Sequence, residues 1–167
     1  MQPAPGVGDE AMTLWQRLTG RMGAGIAVDD QRWVVLDVES SGLDPQRDRL
    51  LSIAAVAVHL DGPRPCIAMA DSFEVVLRQP EDQADTDKPN ILIHRIGIGA
   101  QREGTEPAAA LQSFERYVAT SPLIAFHAAF DQTLILRSFD AVLGRRPPNP
   151  WLDLAPLAAL ARPKVQA

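Results

Sequence analysis

The sequence predicts an α/β domain: a mixed sheet of three antiparallel strands followed by parallel ones, with helices on its faces. Three observations carry that expectation. Apolar runs at 33–39, 50–60 and 66–77 are joined by short turns, which makes an antiparallel meander. Helical and strand-like segments then alternate after Pro107, the pattern of parallel pairing. The 167 residues are 46% hydrophobic and 22% charged, which suits one soluble domain with its own core and excludes a disordered chain.

In chain order, residues 1–10 read as a loose leader without a signal sequence. Met12, Leu14, Trp15, Leu18 and Met22 recur at helical spacing, so 1–30 is expected to be a helical leader before a domain at 31–167. Trp33-Val34-Val35-Leu36-Asp37-Val38-Glu39 is a largely buried strand that turns at Ser40-Ser41-Gly42. Leu50–Leu60 is the second strand, Asp61-Gly62 a hairpin signal, and Cys66–Leu77 the third strand. The stretch 79–90 is an acidic, Pro-containing loop. Pro107 opens a helix reaching about Thr120, and Pro122–Phe126 is a short apolar strand. Asp131–Leu143 is helical and closed by Gly144. Trp151–Ala161 reads as a last helix with Asp153 near its start as a cap.

Net charge is −5, which argues against a protein that coats nucleic acid by charge alone. Carboxylates that hold cations against a phosphodiester remain compatible with it. A lone cysteine, Cys66, excludes an intrachain disulfide, and no apolar run is long enough to span a membrane; a cytoplasmic protein is expected.

Two places carry chemistry. On a strand, Asp37 and Glu39 point to one side, and paired hard oxygens suit Mg²⁺ or Mn²⁺. The triplet alone says little: with 21 acids in the chain, of which 14 are Asp, chance gives about 0.6 Asp-x-Glu triplets. Its context is sharper, because the acids close an apolar run and precede Gly42-Leu43-Asp44-Pro45. The second place is Phe126-His127-Ala128-Ala129-Phe130-Asp131, where a strand opens into a helix whose first turn holds an acid. Taken alone, Asp131 is better read as a helix-terminus acid than as a ligand.

Together these segments resemble the DEDD 3′–5′ exonucleases of the proofreading epsilon-subunit type. Val34 to Pro45 is similar to their first motif and the stretch ending at Asp131 to their second. Ile93-His94-Arg95-Ile96 resembles the segment before the central helix, and Trp151-Leu152-Asp153-Leu154-Ala155 the stretch that follows it. The resemblance implies an RNase H-like fold, a two-metal site using Mg²⁺ or Mn²⁺, and Asp37, Glu39 and Asp131 as metal ligands and catalytic acids. It places Ser40, Ser41, Gly42, His94, Phe126, His127 and Phe130 near the substrate. Nucleic acid, DNA before RNA, is the implied partner, with a polymerase or a second copy by analogy and no membrane.

Phe126 stands where the family usually has His, and His127 where it usually has Asn. The third motif, His-x₄-Asp, has no counterpart: no His follows His127 and no acid follows Asp153 in these 167 residues. Asp140 is expected on the surface, and His59 and His94 in structural or solvated settings. The expectation is an exonuclease domain that is C-terminally incomplete and impaired. The rival is a degenerate exonuclease fold that serves as a nucleic-acid-binding or protein-interaction module.

Overall fold

The computed structural model describes residues 28–82, 91–92 and 95–161. The expected helix at 11–22, most of the acidic loop and His94 lie outside the described residues. Among the described residues the named elements follow in the order β1 (Arg32–Ser40), β2 (Leu50–His59), β3 (Cys66–Val76), α1 (Ile98–Glu103), α2 (Pro107–Val118), β4 (Leu123–Ala125), α3 (Ala129–Leu143), β5 (Trp151–Asp153) and α4 (Leu154–Ala161). The sheet order is β3-β2-β1-β4-β5, so β1 is the central strand. β1, β2 and β3 pair antiparallel, and β4 and β5 add in parallel on the other side of β1.

Alternation along β1 divides its side chains between two environments. Val34, Leu36 and Val38 are buried and meet Ile53 and Ala55 from β2. Leu111, Phe114 and Val118 of α2 and Leu134, Ile135 and Phe139 of α3 close the same cluster. Phe114 is its hub, with Phe73 at 5.8 Å and Phe139 at 6.4 Å between ring centroids. The other side of the sheet carries Val35, Asp37, Ala54 and Val56 along a shallow groove that Met69, Ser72 and Glu74 also line. Asp37 and Ala54 are exposed there.

A second anchor sits where β1 begins. The β2–β3 register shifts between Val56 and Ala57, which partner Ser72 and Ala68, so Met69, Ala70 and Asp71 bulge from the ladder. Asp71 takes both arms of the Arg32 guanidinium at 2.8 Å and the His59 ring at 3.2 Å. The Arg32 contact holds the Asp71 carboxyl below the usual carboxylate range. Arg32 also lies 4.8 Å from the Tyr117 ring centre, and the Tyr117 hydroxyl donates to the Asp71 carbonyl at 2.8 Å. Strands β1, β2 and β3 are thereby tied to α2 at one point.

Two elements depart from expectation. Residues 151–153 form an edge strand, and the last helix starts only at Leu154. Prolines at 147, 148 and 150 prevent helix immediately upstream, and the Pro150 carbonyl accepts from the Leu123 amide at 2.8 Å, which sets Trp151 and Leu152 beside β4. Helix α1 was not foreseen; six residues beginning Ile98-Gly99 have little propensity, and it is held by fully buried Gln101, whose side-chain amide donates to the Ile96 carbonyl at 3.0 Å.

Phe114→Ala would empty the centre of the helix–sheet contact. The expected loss is about 3–5 kcal/mol of unfolding free energy, read by urea denaturation. A loss below about 1 kcal/mol would show that Phe114 is not the hub.

Candidate active site at the C-terminal end of the central strand

The candidate acids converge because β1 outruns its parallel neighbour. In β1 the amides of Val34, Leu36 and Val38 point toward β4. The Val34 amide donates to the Pro122 carbonyl at 2.9 Å, and the pairing with β4 ends at Val35 and Ile124. Beyond that point the Val38 amide donates to Asp131 Oδ1 at 3.1 Å. A side chain in the first turn of α3 thus takes the place a strand carbonyl would hold.

Asp131 is 4% exposed. Burial first, then the negative charge of Asp37, and more weakly that of Asp153, push its carboxyl up to about 6. The groups that draw it down are the backbone amides of Val38 and Asp131 itself, which offset only part of that effect. Asp37 lies on the exposed side of β1, and Glu39, two residues on, shares its side just before the register shift at Ser40.

The turn before α3 is unusual. His127 has φ 59°, a left-handed conformation that is uncommon for a residue with a Cβ. Its carbonyl accepts from the Phe130 amide at 3.1 Å, and its amide donates to Asp153 Oδ1 at 3.0 Å. Phe126 and His127 are exposed and meet edge to face at 4.6 Å. Phe130 packs against the core.

On the other side of Asp37 and Glu39, the loop 41–49 is organised by Asp48. Its carboxylate accepts from the Asp44 amide at 2.8 Å and the Ser41 hydroxyl at 3.1 Å, and Ser41 Oγ accepts the Arg49 amide at 2.9 Å. Ser40 Oγ donates to the Gly42 carbonyl at 2.5 Å. Both hydroxyls therefore already serve the loop. Gly42 is required by close approach, because a Cβ there would lie 2.5 Å from Asp48 Oδ2.

The structure therefore brings Asp37, Asp131 and Asp153 into electrostatic reach, with Glu39 on the Asp37 side. It leaves Asp140 exposed beside Arg146 and puts His59 on Asp71, at the far end of β1. Asp153 was expected only as a helix cap. It does accept the Ala155 amide at 2.9 Å, but it also closes an apolar strand, as Asp37 nearly does, and that shared position was the available signal. The hard oxygen donors fit a divalent cation in kind. Among the described residues no three His, Cys, Asp or Glu side chains come together closely enough to hold one.

Comparison with known proteins gives a consistent set. The exonuclease family model (RNase T) matches residues 34–166. A PolC-type DNA polymerase III from Clostridium perfringens is 27% identical over 139 residues, which is 82% of this chain and 9% of that protein. An oligoribonuclease from Mannheimia succiniciproducens is 28% identical over 92 residues, 53% of this chain and 48% of that protein. Among solved structures, apo exonuclease I superimposes with TM-score 0.65 at 16% identity, covering 82% of this chain and 32% of that one. E. coli exonuclease I in complex with a dT13 oligonucleotide gives 0.64 at 17% identity, covering 83% and 32%. The chain thus spans less than half the length of each of these proteins.

Two predictions follow from the geometry. The folded chain holds the Asp131 proton more tightly than the unfolded chain, whose ordinary value is 3.8. Stability from this group is therefore intact below that value and lost as pH rises through about 6. Relative to Asp131→Asn, the wild type without metal is expected to lose on the order of 3 kcal/mol between about pH 4 and pH 7.5, read by urea denaturation. A constant difference would mean that Asp131 titrates normally. For Gly42→Ala the expected cost is about 1–3 kcal/mol, relieved in the Gly42→Ala/Asp48→Ala pair relative to the sum of the single changes. Additive losses would show that the two residues do not clash.

Proposed function

The chain belongs to the exonuclease family of the RNase T type, and we propose that it removes nucleotides from nucleic-acid 3′ ends by metal-dependent phosphodiester hydrolysis. The observation that carries this reading is Asp131, buried at the end of the central strand, drawn down only by backbone amides and pushed up by burial and by the charge of Asp37 from a distant segment. A buried carboxylate within reach of a second acid is costly unless a cation offsets it.

In this reading Asp37, Glu39 and Asp131 would hold Mg²⁺ or Mn²⁺, drawing together on the cation. The cations would supply charge neutralisation and an activated water at the scissile phosphate. The protein residues orient: the loop 40–42 presents its backbone beside the acids, while exposed Phe126 and His127 offer an aromatic surface for the terminal base. His94 is kept as a substrate-side candidate on resemblance alone. Single-stranded DNA is the first substrate to try, since the fold neighbour was solved with dT13 and a sequence relative is a DNA polymerase. The oligoribonuclease relative makes short RNA the second.

With no His after His127 and no acid after Asp153, the 167-residue chain is proposed to turn over slowly. General-base catalysis contributes about 10²–10⁴-fold, so a version extended by a His-x₄-Asp helix should be faster by roughly that factor. The test is Mn²⁺- and Mg²⁺-dependent shortening of 5′-labelled oligonucleotides from their 3′ ends, with Asp37→Ala as the control. Equal rates for the two lengths would overturn the impairment. Cleavage that survives Asp37→Ala or removal of divalent cations would overturn the metal reading, and binding without cleavage by either length would favour the non-catalytic module.

A further inference from the structure

We propose that Asp153 is a positioning residue of this site: its carboxylate clamps the left-handed turn at His127 and so sets Asp131 against β1. The proposal rests on reading Asp131 as part of the working site and adds a residue to it.

Asp153 is the last residue of β5, two strands from β1, and has no direct bond to the Asp131 carboxylate. Its Oδ1 accepts two amides, from Ala155 at 2.9 Å and from His127 at 3.0 Å. The first bond starts α4. The second reaches another segment, 26 residues away, at a residue with φ 59°. A residue with a Cβ persists in that conformation only when its surroundings hold it there. Here the hold is a side-chain carboxyl oxygen accepting from its N–H, and the turn bond from the Phe130 amide to its own carbonyl. Helix α3 has no side-chain cap at its N-terminus, where Ala128 stands, so nothing at the cap position replaces that hold.

What the turn fixes is the start of α3. Asp131 lies four residues beyond His127, and its Oδ1 must meet the Val38 amide. A change in the His127 backbone would rotate the first turn and carry the carboxylate away from β1. The Val38 amide therefore reports where Asp131 is, without any metal or substrate.

The experiment is amide hydrogen exchange by NMR on the metal-free 167-residue chain. Asp153→Ala is expected to speed exchange at both His127 and Val38 by roughly tenfold or more, beyond any change at core amides such as that of Leu36. Asp153→Asn, whose side-chain oxygen still accepts, should keep both within about threefold of wild type. Faster exchange at Ala155 with Val38 unchanged would reduce Asp153 to a helix cap and overturn the proposal. Should Asp153→Ala not fold, His127→Gly decides: glycine adopts the left-handed turn freely, so Asp153→Ser in that background should leave Val38 protected, and loss of protection would overturn the clamp. A Mn²⁺ titration separates the two readings. Wild type that takes up no Mn²⁺ would count against the proposed function, while the exchange comparison would still decide the clamp.

Discussion

The Val38 amide sits where the central strand has lost its parallel neighbour, and a buried amide must find an acceptor. Asp131 supplies it from the first turn of α3. That one bond orders most of what surrounds it. It places a carboxylate in the interior end of the sheet, next to the charge of Asp37, and it fixes how far α3 slides along β1. On the same helix Leu134, Ile135 and Phe139 pack into the core. Stability and chemistry pull in opposite directions there, because the group that completes the ladder is also one that burial disfavours as an anion.

The two ends of β1 are built on different principles. At its start Arg32 and Asp71 are opposite charges with good bidentate geometry, backed by Tyr117 and Ser121. Nothing there is left for chemistry. At its end like charges gather, and the cost is carried by the rigid scaffold on either side: the Asp48-centred loop and the turn at His127. A left-handed turn at His127 beside the unneutralised charges of Asp131 and Asp37 is a pattern expected where a site has been built.

Much of this could be read from the residues. The meander was visible because Asp61-Gly62 and Ser40-Ser41-Gly42 punctuate apolar runs, and the helix 129–143 because Gly144 ends it in a left-handed cap. The family resemblance held because it rested on two motifs, of which Asp-x-Glu alone would have carried little. The failures have local causes. Trp151-Leu152-Asp153 is too short to show a strand period, and it is its pairing with Leu123–Ala125 that makes it an edge strand. The bond of Asp153 to the His127 amide left no trace in the sequence beyond the place of Asp153 at the end of an apolar strand, since its partner is a backbone amide on another segment. The hydroxyls of Ser40 and Ser41 look free in sequence but are engaged in the fold, the first by the Gly42 carbonyl and the second by Asp48.

The placement of Asp131 also bears on how the molecule is assembled. Strands β1, β2 and β3 pair through turns between neighbours in the chain, so that half of the sheet can form early from local contacts. Val38 and Asp131 lie 93 residues apart, and β2, β3, α1 and α2 lie between β1 and β4 in the chain. Parallel pairing over such a separation carries a loop-closure penalty before any contact offsets it. The approach of Asp131 to Asp37 therefore depends on that long-range closure, and the antiparallel meander by itself carries only Asp37 and Glu39.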